Sequence, residues 1–143
     1  MDLIAFENWV KPIENSELND KKKDRRIIQI VDLGCFIEAY NPSLEILDCS
    51  SYQICIVNDN GTKTGILFWD LKEVNRIHKS YTRFLDYYKR QTGIEKLWLV
   101  FVDERHSMNV RTINQFITEK YIKPFCDKIL LLRFSHSAVY ELG

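Results

Sequence analysis

The sequence predicts one α/β domain in which helices flank a mixed β-sheet. Residues 52–70 form a hairpin pattern around the turn sequence Asn58-Asp59-Asn60-Gly61, which favours positive φ angles. Residues 97–102 and 128–134 are apolar runs of strand length, and a helical pattern precedes each of them. Early hairpin strands followed by strands linked through helices are typical of a mixed sheet. A length of 143 residues fits one ordinary domain.

The start of the chain predicts a preamble over residues 1–26 and a single α/β domain over residues 27–143. The run Lys21-Lys22-Lys23-Asp24-Arg25-Arg26 is typical of a solvated loop or helix end. It could instead contact phosphates. Residues 27–40 fit either a strand or a buried helix. Their many β-branched side chains favour a strand that breaks at Gly34, followed by a second short strand over residues 36–40.

The remaining elements follow in order along the chain. Residues 44–47 predict a short strand, which leads into the hairpin. Apolar residues at steps of three and four predict a long helix from about Lys72 to Gly93, since glycine can end a helix in a left-handed conformation. The continuous strand over residues 97–102 should be covered on both faces. A second helix should end before Pro124.

Charge and targeting patterns limit the classes of function. The 20 basic and 20 acidic residues cancel, which argues against a uniformly basic nucleic-acid coat protein but leaves room for a local basic patch. No secretory signal and no apolar run of membrane-spanning length is present, so we expect a soluble, intracellular protein with no membrane partner. The four cysteines have no zinc-binding spacing and should be small buried side chains.

The strongest chemical pattern is Asp70-Leu71-Lys72, at the end of the second hairpin strand. Residues two apart on a strand point to the same face, so the carboxylate and the ammonium group should lie side by side. Asp70 could hold Mg²⁺ while Lys72 assists a water molecule or stabilises charge on a phosphate. A simpler alternative is that Asp70 caps the following helix.

The order of hairpin, Asp-x-Lys, helix and buried strand over residues 44–103 resembles the PD-(D/E)XK nuclease superfamily, whose fold is restriction-endonuclease-like. The resemblance implies a restriction-endonuclease-like arrangement and a nuclease-like domain that processes or docks nucleic acid. It also implies Mg²⁺ or Mn²⁺ as cofactor, with Asp70 and Lys72 as catalytic residues. In this family an acid also stands on the first hairpin strand.

The second carboxylate is less well defined, because Ser51, Tyr52 and Gln53 stand where the first acid of the family would lie. Asp48 lies four residues earlier and is the first candidate for a catalytic and metal-binding acid. Glu38 is the second candidate metal ligand, provided that residues 27–40 are helical. Loss of this acid would leave a catalytically inactive protein-interaction module on the same fold, whose partner would be a protein within a larger complex.

Basic residues interleaved with aromatic residues suggest where nucleic acid could bind. Lys79, Arg83, Lys89 and Arg90 lie along the predicted helix, among aromatic residues whose spacing is otherwise typical of a core. Only Tyr87 falls outside the apolar stripe, and it is therefore a candidate surface aromatic residue.

A rival acidic pair is Asp32 and Asp103, each of which follows an apolar run. If both runs were neighbouring parallel strands, the two carboxylates would meet at their carboxyl ends. That arrangement resembles the ribonuclease-H-like fold, whose acidic pair binds two metal ions. His106, in a charged loop after the second of these runs, is a further site worth testing.

Overall fold

The computed structural model describes residues 3–49, 53–72, 81–104, 110–119 and 122–142. In these ranges one open, mixed sheet runs in chain order from β1 to β6. The helices are α1 (Leu3–Glu14), α2 (Asp20–Tyr40), α3 (Tyr81–Thr92) and α4 (Val110–Glu119). The strands are β1 (Glu45–Asp48), β2 (Cys55–Asp59), β3 (Thr62–Asp70), β4 (Lys96–Asp103), β5 (Lys128–Arg133) and β6 (Ala138–Leu142). The predicted α/β class is therefore confirmed.

Strands β1, β2 and β3 form an antiparallel meander. The β2–β3 turn places Asn60 at φ 50° and Gly61 at φ 92°. Two successive positive φ angles twist the chain in the sense that suits a two-residue hairpin. The predicted hairpin is confirmed, and its register sets Cys55 opposite Ile66.

Strands β3, β4 and β5 are parallel, and α3 and α4 lie in the two connections. Strand β4 lies between β3 and β5 in the sheet, and from Leu97 to Asp103 it is buried throughout. A strand that is covered on both faces has a continuous run of apolar residues. The sequence predicted this for residues 97–102, and the structure confirms it. Strand β6 closes the order antiparallel to β5.

The strand expected over residues 27–34 and the short strand over residues 36–40 are wrong, because both stretches belong to the 21-residue helix α2. The buried residues Gln29, Ile30, Leu33 and Phe36 recur at helical steps. Their packing outweighs the modest preference of isoleucine and valine for strands. The Asn19 side chain caps the helix by accepting a hydrogen bond of 2.9 Å from the Lys22 amide.

Helix α2 also runs through the boundary that the sequence suggested after residue 26. Val10 and Ile13 of α1 are buried in the same apolar cluster as Ile30 and Leu33 of α2. The first 26 residues therefore contribute to the core that residues 27–143 share.

The core has two layers, one on each face of the sheet. We call them the α2 side and the α4 side, after the helix that covers each. Successive residues of β4 alternate between them, since side chains alternate along a strand. Trp98 and Val100 face the α2 side, together with Ile30 and Phe36. Leu97, Leu99 and Phe101 face the α4 side, together with Ile113 and Ile117.

The carboxyl end of α2 is fixed to the sheet through Tyr40. The Lys128 ammonium donates a hydrogen bond of 2.9 Å to the Tyr40 hydroxyl and lies 4.9 Å from the centre of the Trp98 ring. Tyr40 also stacks on Phe36 of the same helix at 5.1 Å. These contacts lie at the edge of the sheet where β4 and β5 begin.

Two further sequence predictions concern cysteines and membranes. Cys49 and Cys55 are buried, Cys35 and Cys126 are half-buried, and all four are free thiols. Burial raises the pKa of Cys49 to about 12, so this thiol stays protonated at neutral pH. Among the helices that the structure describes, none has the length and apolar character needed to cross a bilayer.

Candidate functional site

A pocket of about 460 Å³ opens at the carboxyl ends of β3 and β4, beside the first half of α2. Its lining includes three acidic residues, Asp32, Asp70 and Glu104, and three basic residues, Lys22, Arg25 and Arg26. Ligand sites of α/β sheets commonly lie outside the carboxyl ends of the strands. The volume lies in the range of sites for small molecules.

Asp32 is the most deeply placed acid of the pocket. It is only 8% exposed, because α2 turns it toward the sheet between the buried residues Gln29 and Leu33. Loss of solvent raises its pKa to about 7, with smaller contributions from the negative charges of Glu104 and Asp70. Within the described ranges no hydrogen bond or ion pair reaches this carboxylate. Among the residues that the structure describes, this buried acid therefore has no ion-pair partner.

Asp70 and Glu104 approach the pocket from the sheet. Asp70 ends β3 opposite Val102 of β4, and both residues line the pocket. Glu104 follows two residues after Val102. One oxygen of Asp70 accepts a hydrogen bond of 3.0 Å from the Lys72 amide, which is the kind of contact that a capping aspartate makes. The helix that Asp70 was predicted to cap would begin in residues 73–80, which lie outside the described residues. The same carboxylate thus orders the chain after β3 and adds negative charge beside Asp32.

Lys72 meets the pocket indirectly. Its ammonium lies 3.5 Å from the Glu104 carboxylate, and both side chains are about half exposed. An exposed pair of this kind contributes little to stability, because water screens it. The pair matters for position, because it keeps the Lys72 ammonium beside Glu104, which lines the pocket.

The basic residues of the pocket belong to α2. Lys22, Arg25 and Arg26 recur at helical steps of three and four, so they share one side of the helix. The charge run that they come from was predicted either as a solvated helix end or as a phosphate contact. The structure places these three cations in the same pocket lining as the acids. The sequence did not predict this proximity.

Gln29 and Gln53 complete the wall between α2 and the hairpin. The buried Gln29 side-chain amide donates a hydrogen bond to the main-chain carbonyl of Gln53. Gln53 lines the pocket with an exposed side chain. It is one of the three residues, 51–53, that stand where the resemblance predicted an acid.

The two candidate second acids named from the sequence lie away from this lining. Asp48 ends β1 opposite Ile56, beside the thiols of Cys49 and Cys55. Burial raises the pKa of both thiols, and the charge of Asp48 adds to the shift. Glu38 is exposed near the carboxyl end of α2. Asp32 and Glu104 occupy the places beside Asp70 that Asp48 and Glu38 were expected to fill.

The rival pair of Asp32 and Asp103 is separated by the sheet. The expected strand before Asp32 is wrong, since Asp32 is helical and faces the α2 side. Asp103 lies two residues after Phe101 on the same strand, so its side chain is on the same face as Leu99 and Phe101, the α4 side. There the buried Asp103 carboxylate lies 3.4 Å from the Arg133 guanidinium. Asp32 therefore lines the pocket from a helix and not from the end of a strand.

The basic residues predicted on α3 are not part of the pocket lining. Arg83 is exposed, and Arg90 forms an ion pair of 2.8 Å with Asp86 one turn earlier. Lys89 lies near Cys126, which packs on the α4 side. Tyr87 is exposed, as predicted. Lys79 and His106 lie outside the described residues.

The acids of the pocket suit a hard cation only in part. Among residues that the structure describes, no three His, Cys, Asp or Glu side chains group closely enough to hold a metal ion by themselves. Mg²⁺ does not require such a cage, because it commonly takes one or two carboxylates and completes its shell with water and phosphate oxygens. The buried Asp32 carboxylate and the nearby Asp70 carboxylate could supply the two protein ligands of such an ion.

One signal in the sequence could have led to this acid. Asp32 stands between the apolar positions Ile30 and Leu33, where a helix of this pattern turns its buried side to the core. An aspartate at that position is costly unless it has a partner or a function. Glu104 carried no comparable signal, because its neighbours form an ordinary charged loop.

Comparisons with protein-family models, curated proteins and solved structures give no match to this chain. The resemblance carried by the hairpin and Asp70-Leu71-Lys72 therefore stays a prediction.

Proposed function

We propose that this chain is a nuclease-like domain that hydrolyses phosphodiester bonds with Mg²⁺ or Mn²⁺. One observation carries the proposal: a nearly buried carboxylate, Asp32, lies beside two further acids in a pocket whose edge is basic. A buried carboxylate beside a second acid favours a metal cation, and a basic edge favours the phosphates of a substrate.

The order of elements supports the same proposal. Helix α2 is followed by the antiparallel strands β1, β2 and β3, and then by α3 and the parallel strand β4. The restriction-endonuclease-like arrangement predicted from the sequence requires a hairpin whose second strand carries the acid-x-Lys pattern. Here β3 ends at Asp70 with Lys72 close behind it, at the pocket.

The proposed roles follow from position. Asp70 and Asp32 would hold the divalent cation, which when bound neutralises phosphate charge and lowers the pKa of a water molecule. Lys72, kept near the pocket by Glu104, would offset the charge of the attacked phosphate. Hydrolysis adds water across the ester bond: the hydroxyl group goes to phosphorus, and the departing oxygen takes the proton.

The competing function is an inactive module that binds a protein partner. Exposed apolar side chains on the two N-terminal helices favour it: Ile4 is 73% exposed, Ile28 56% and Val31 44%. Exposed apolar groups near one another can form part of an interface. This function predicts no cleavage under any metal condition.

The deciding experiment is a cleavage assay on single-stranded and duplex DNA and RNA with Mg²⁺ or Mn²⁺. The wild type should cleave at least one substrate, and Asp32→Asn and Asp70→Asn should each lower the rate by about a hundredfold or more, since each removes a carboxylate beside the metal. Both variants nearly preserve side-chain volume.

The matched control is Asp86→Asn, which removes an exposed carboxylate on α3 and should leave the rate unchanged. Absence of wild-type cleavage on all four substrates would support the inactive module. Equal rates for the wild type and both pocket variants would show that the activity, if present, arises elsewhere.

A further inference from the structure

One acid of the pocket is recessed. Asp32 is 8% exposed and lines a pocket of about 460 Å³. An intact duplex keeps its bases stacked inside and presents a stiff outer backbone. Enzymes that must place a nucleotide in a pocket act on single strands or first turn the nucleotide out of the stack. An acid recessed in this way suits a nucleotide that is free of a partner strand.

The edge of the pocket follows α2 and is cationic. Lys22, Arg25 and Arg26 lie on one side of the helix within two turns. Lys22 and Arg25 are exposed, so solvent-borne phosphates can reach them. Such a row provides consecutive charges for a flexible backbone that passes the pocket mouth.

The pocket lining also includes apolar side chains, which form an apolar wall. Ile28 lines the pocket although it is 56% exposed, and the half-buried Phe68 lines it from β3. Phe68 is steadied by an edge contact to Phe36, with ring centres 6.0 Å apart. Apolar and aromatic surfaces bind the faces of unstacked bases with little dependence on base identity. The exposed amide of Gln53 offers both a donor and an acceptor beside this wall.

We infer that the substrate of this site is single-stranded nucleic acid. One nucleotide enters the pocket against Ile28 and Phe68, and the adjoining backbone lies along Lys22 and Arg25. The reaction part of this inference rests on the proposed function, whereas binding can be measured separately.

Binding is tested by fluorescence anisotropy with labelled oligonucleotides of about a dozen residues, as DNA and as RNA, single-stranded and duplex. Ca²⁺ replaces Mg²⁺, because it also binds oxygen ligands. We expect the single strand to bind at least about tenfold more tightly than the duplex of the same sequence. Excess nucleoside monophosphate should compete only weakly, because it lacks the backbone that contacts α2.

The salt dependence of binding identifies the contacts. Each phosphate contact to a single strand contributes about 0.7 to the slope of log affinity against log salt concentration. Lys22→Ala and Arg25→Ala should each reduce that slope by about this amount. The matched controls are Lys96→Ala and Arg111→Ala, exposed residues on β4 and α4 outside the pocket lining, which should leave the slope unchanged.

Three outcomes would overturn the inference: no binding of the single strand, equal or tighter binding of the duplex, or full displacement by equimolar mononucleotide. Unchanged slopes in the Lys22 and Arg25 variants would overturn the assigned path. Tight single-strand binding without cleavage of any substrate would support the inferred ligand and overturn the proposed nuclease function.

Discussion

Asp32 shows how one side chain can lower the stability of the fold that carries it. Burial and the neighbouring charges of Glu104 and Asp70 raise its pKa from 3.8 to about 7. As the pH rises above 4, the unfolded chain loses this proton first, whereas the folded chain keeps it until about pH 7. The free energy of unfolding should therefore fall across that interval and level off above it.

We expect Asp32→Asn to remove this loss in EDTA. At about pH 8 the variant should be more stable than the wild type by on the order of 2–4 kcal/mol, and at about pH 5 by clearly less. Urea unfolding at the two pH values measures the difference. Lys22, Arg25 and Arg26 line the same pocket, and their positive charge opposes this shift without cancelling it.

Adding Mg²⁺ should stabilise the wild type at about pH 8 but leave Asp32→Asn nearly unchanged, since a ligand stabilises only the form that binds it. An equal advantage of the variant at both pH values would contradict the burial of this carboxylate. Greater stability of the wild type in EDTA would do the same.

At the scale of a single element, α2 links local stability to the proposed binding surface. Asn19 accepts the Lys22 amide at the first turn, so the cap and the first cation of the pocket edge share one contact. Fraying of this turn would release Lys22 from its place on the helix. Cap strength and ligand affinity should then change together.

Asn19→Ala should lower the free energy of unfolding by about 1 kcal/mol, because it removes the side-chain acceptor of an otherwise free amide. It should also weaken single-strand binding by a few-fold. Asn19→Asp keeps the acceptor and should preserve both properties. Asn15→Ala, an exposed change in the loop before α2, serves as the control. Loss of stability in Asn19→Asp would contradict a capping role.

The same helix marks the limit of reasoning from sequence. The hairpin, β4 and β5 were predictable because turn chemistry and continuous apolar runs are local signals. Residues 27–40 were not, since Ile27, Ile28, Ile30 and Val31 favour a strand locally while packing on the sheet requires a helix. The candidate site followed the same division. Asp70 was named from its local pattern, and Asp32 was named only as the end of a strand that is in fact a helix. Glu104 was not named, because its place in the pocket depends on which elements meet in space.

The whole molecule has two core layers that share one sheet. Ile13 of α1 is buried on the α2 side, and Ile117 of α4 is buried on the α4 side. Both layers contain alternate residues of β4. Loss of either layer therefore exposes one face of a strand whose opposite face packs in the remaining layer. The chain should therefore unfold as one cooperative unit, with α1 included.

Ile13→Ala and Ile117→Ala should each reduce the free energy of unfolding by about 2–4 kcal/mol, as expected for a large side chain lost from a core. Tryptophan fluorescence and far-ultraviolet circular dichroism should report coincident transitions for both variants. Ile4→Ala, at a position 73% exposed, should change stability by less than about 0.5 kcal/mol. Separate transitions for the two probes would show that α1 is a detachable segment.

Helix α2 is held at two separate places on the sheet. Gln29 bonds to the chain entering β2, and Tyr40 bonds to Lys128 at the start of β5. Asp32 lies between them, three residues beyond Gln29, so it cannot shift relative to Asp70 unless one of these attachments yields. The distance between the two acids is consequently preorganised before any ligand arrives, and entry of a substrate need not wait for a closing motion of this helix.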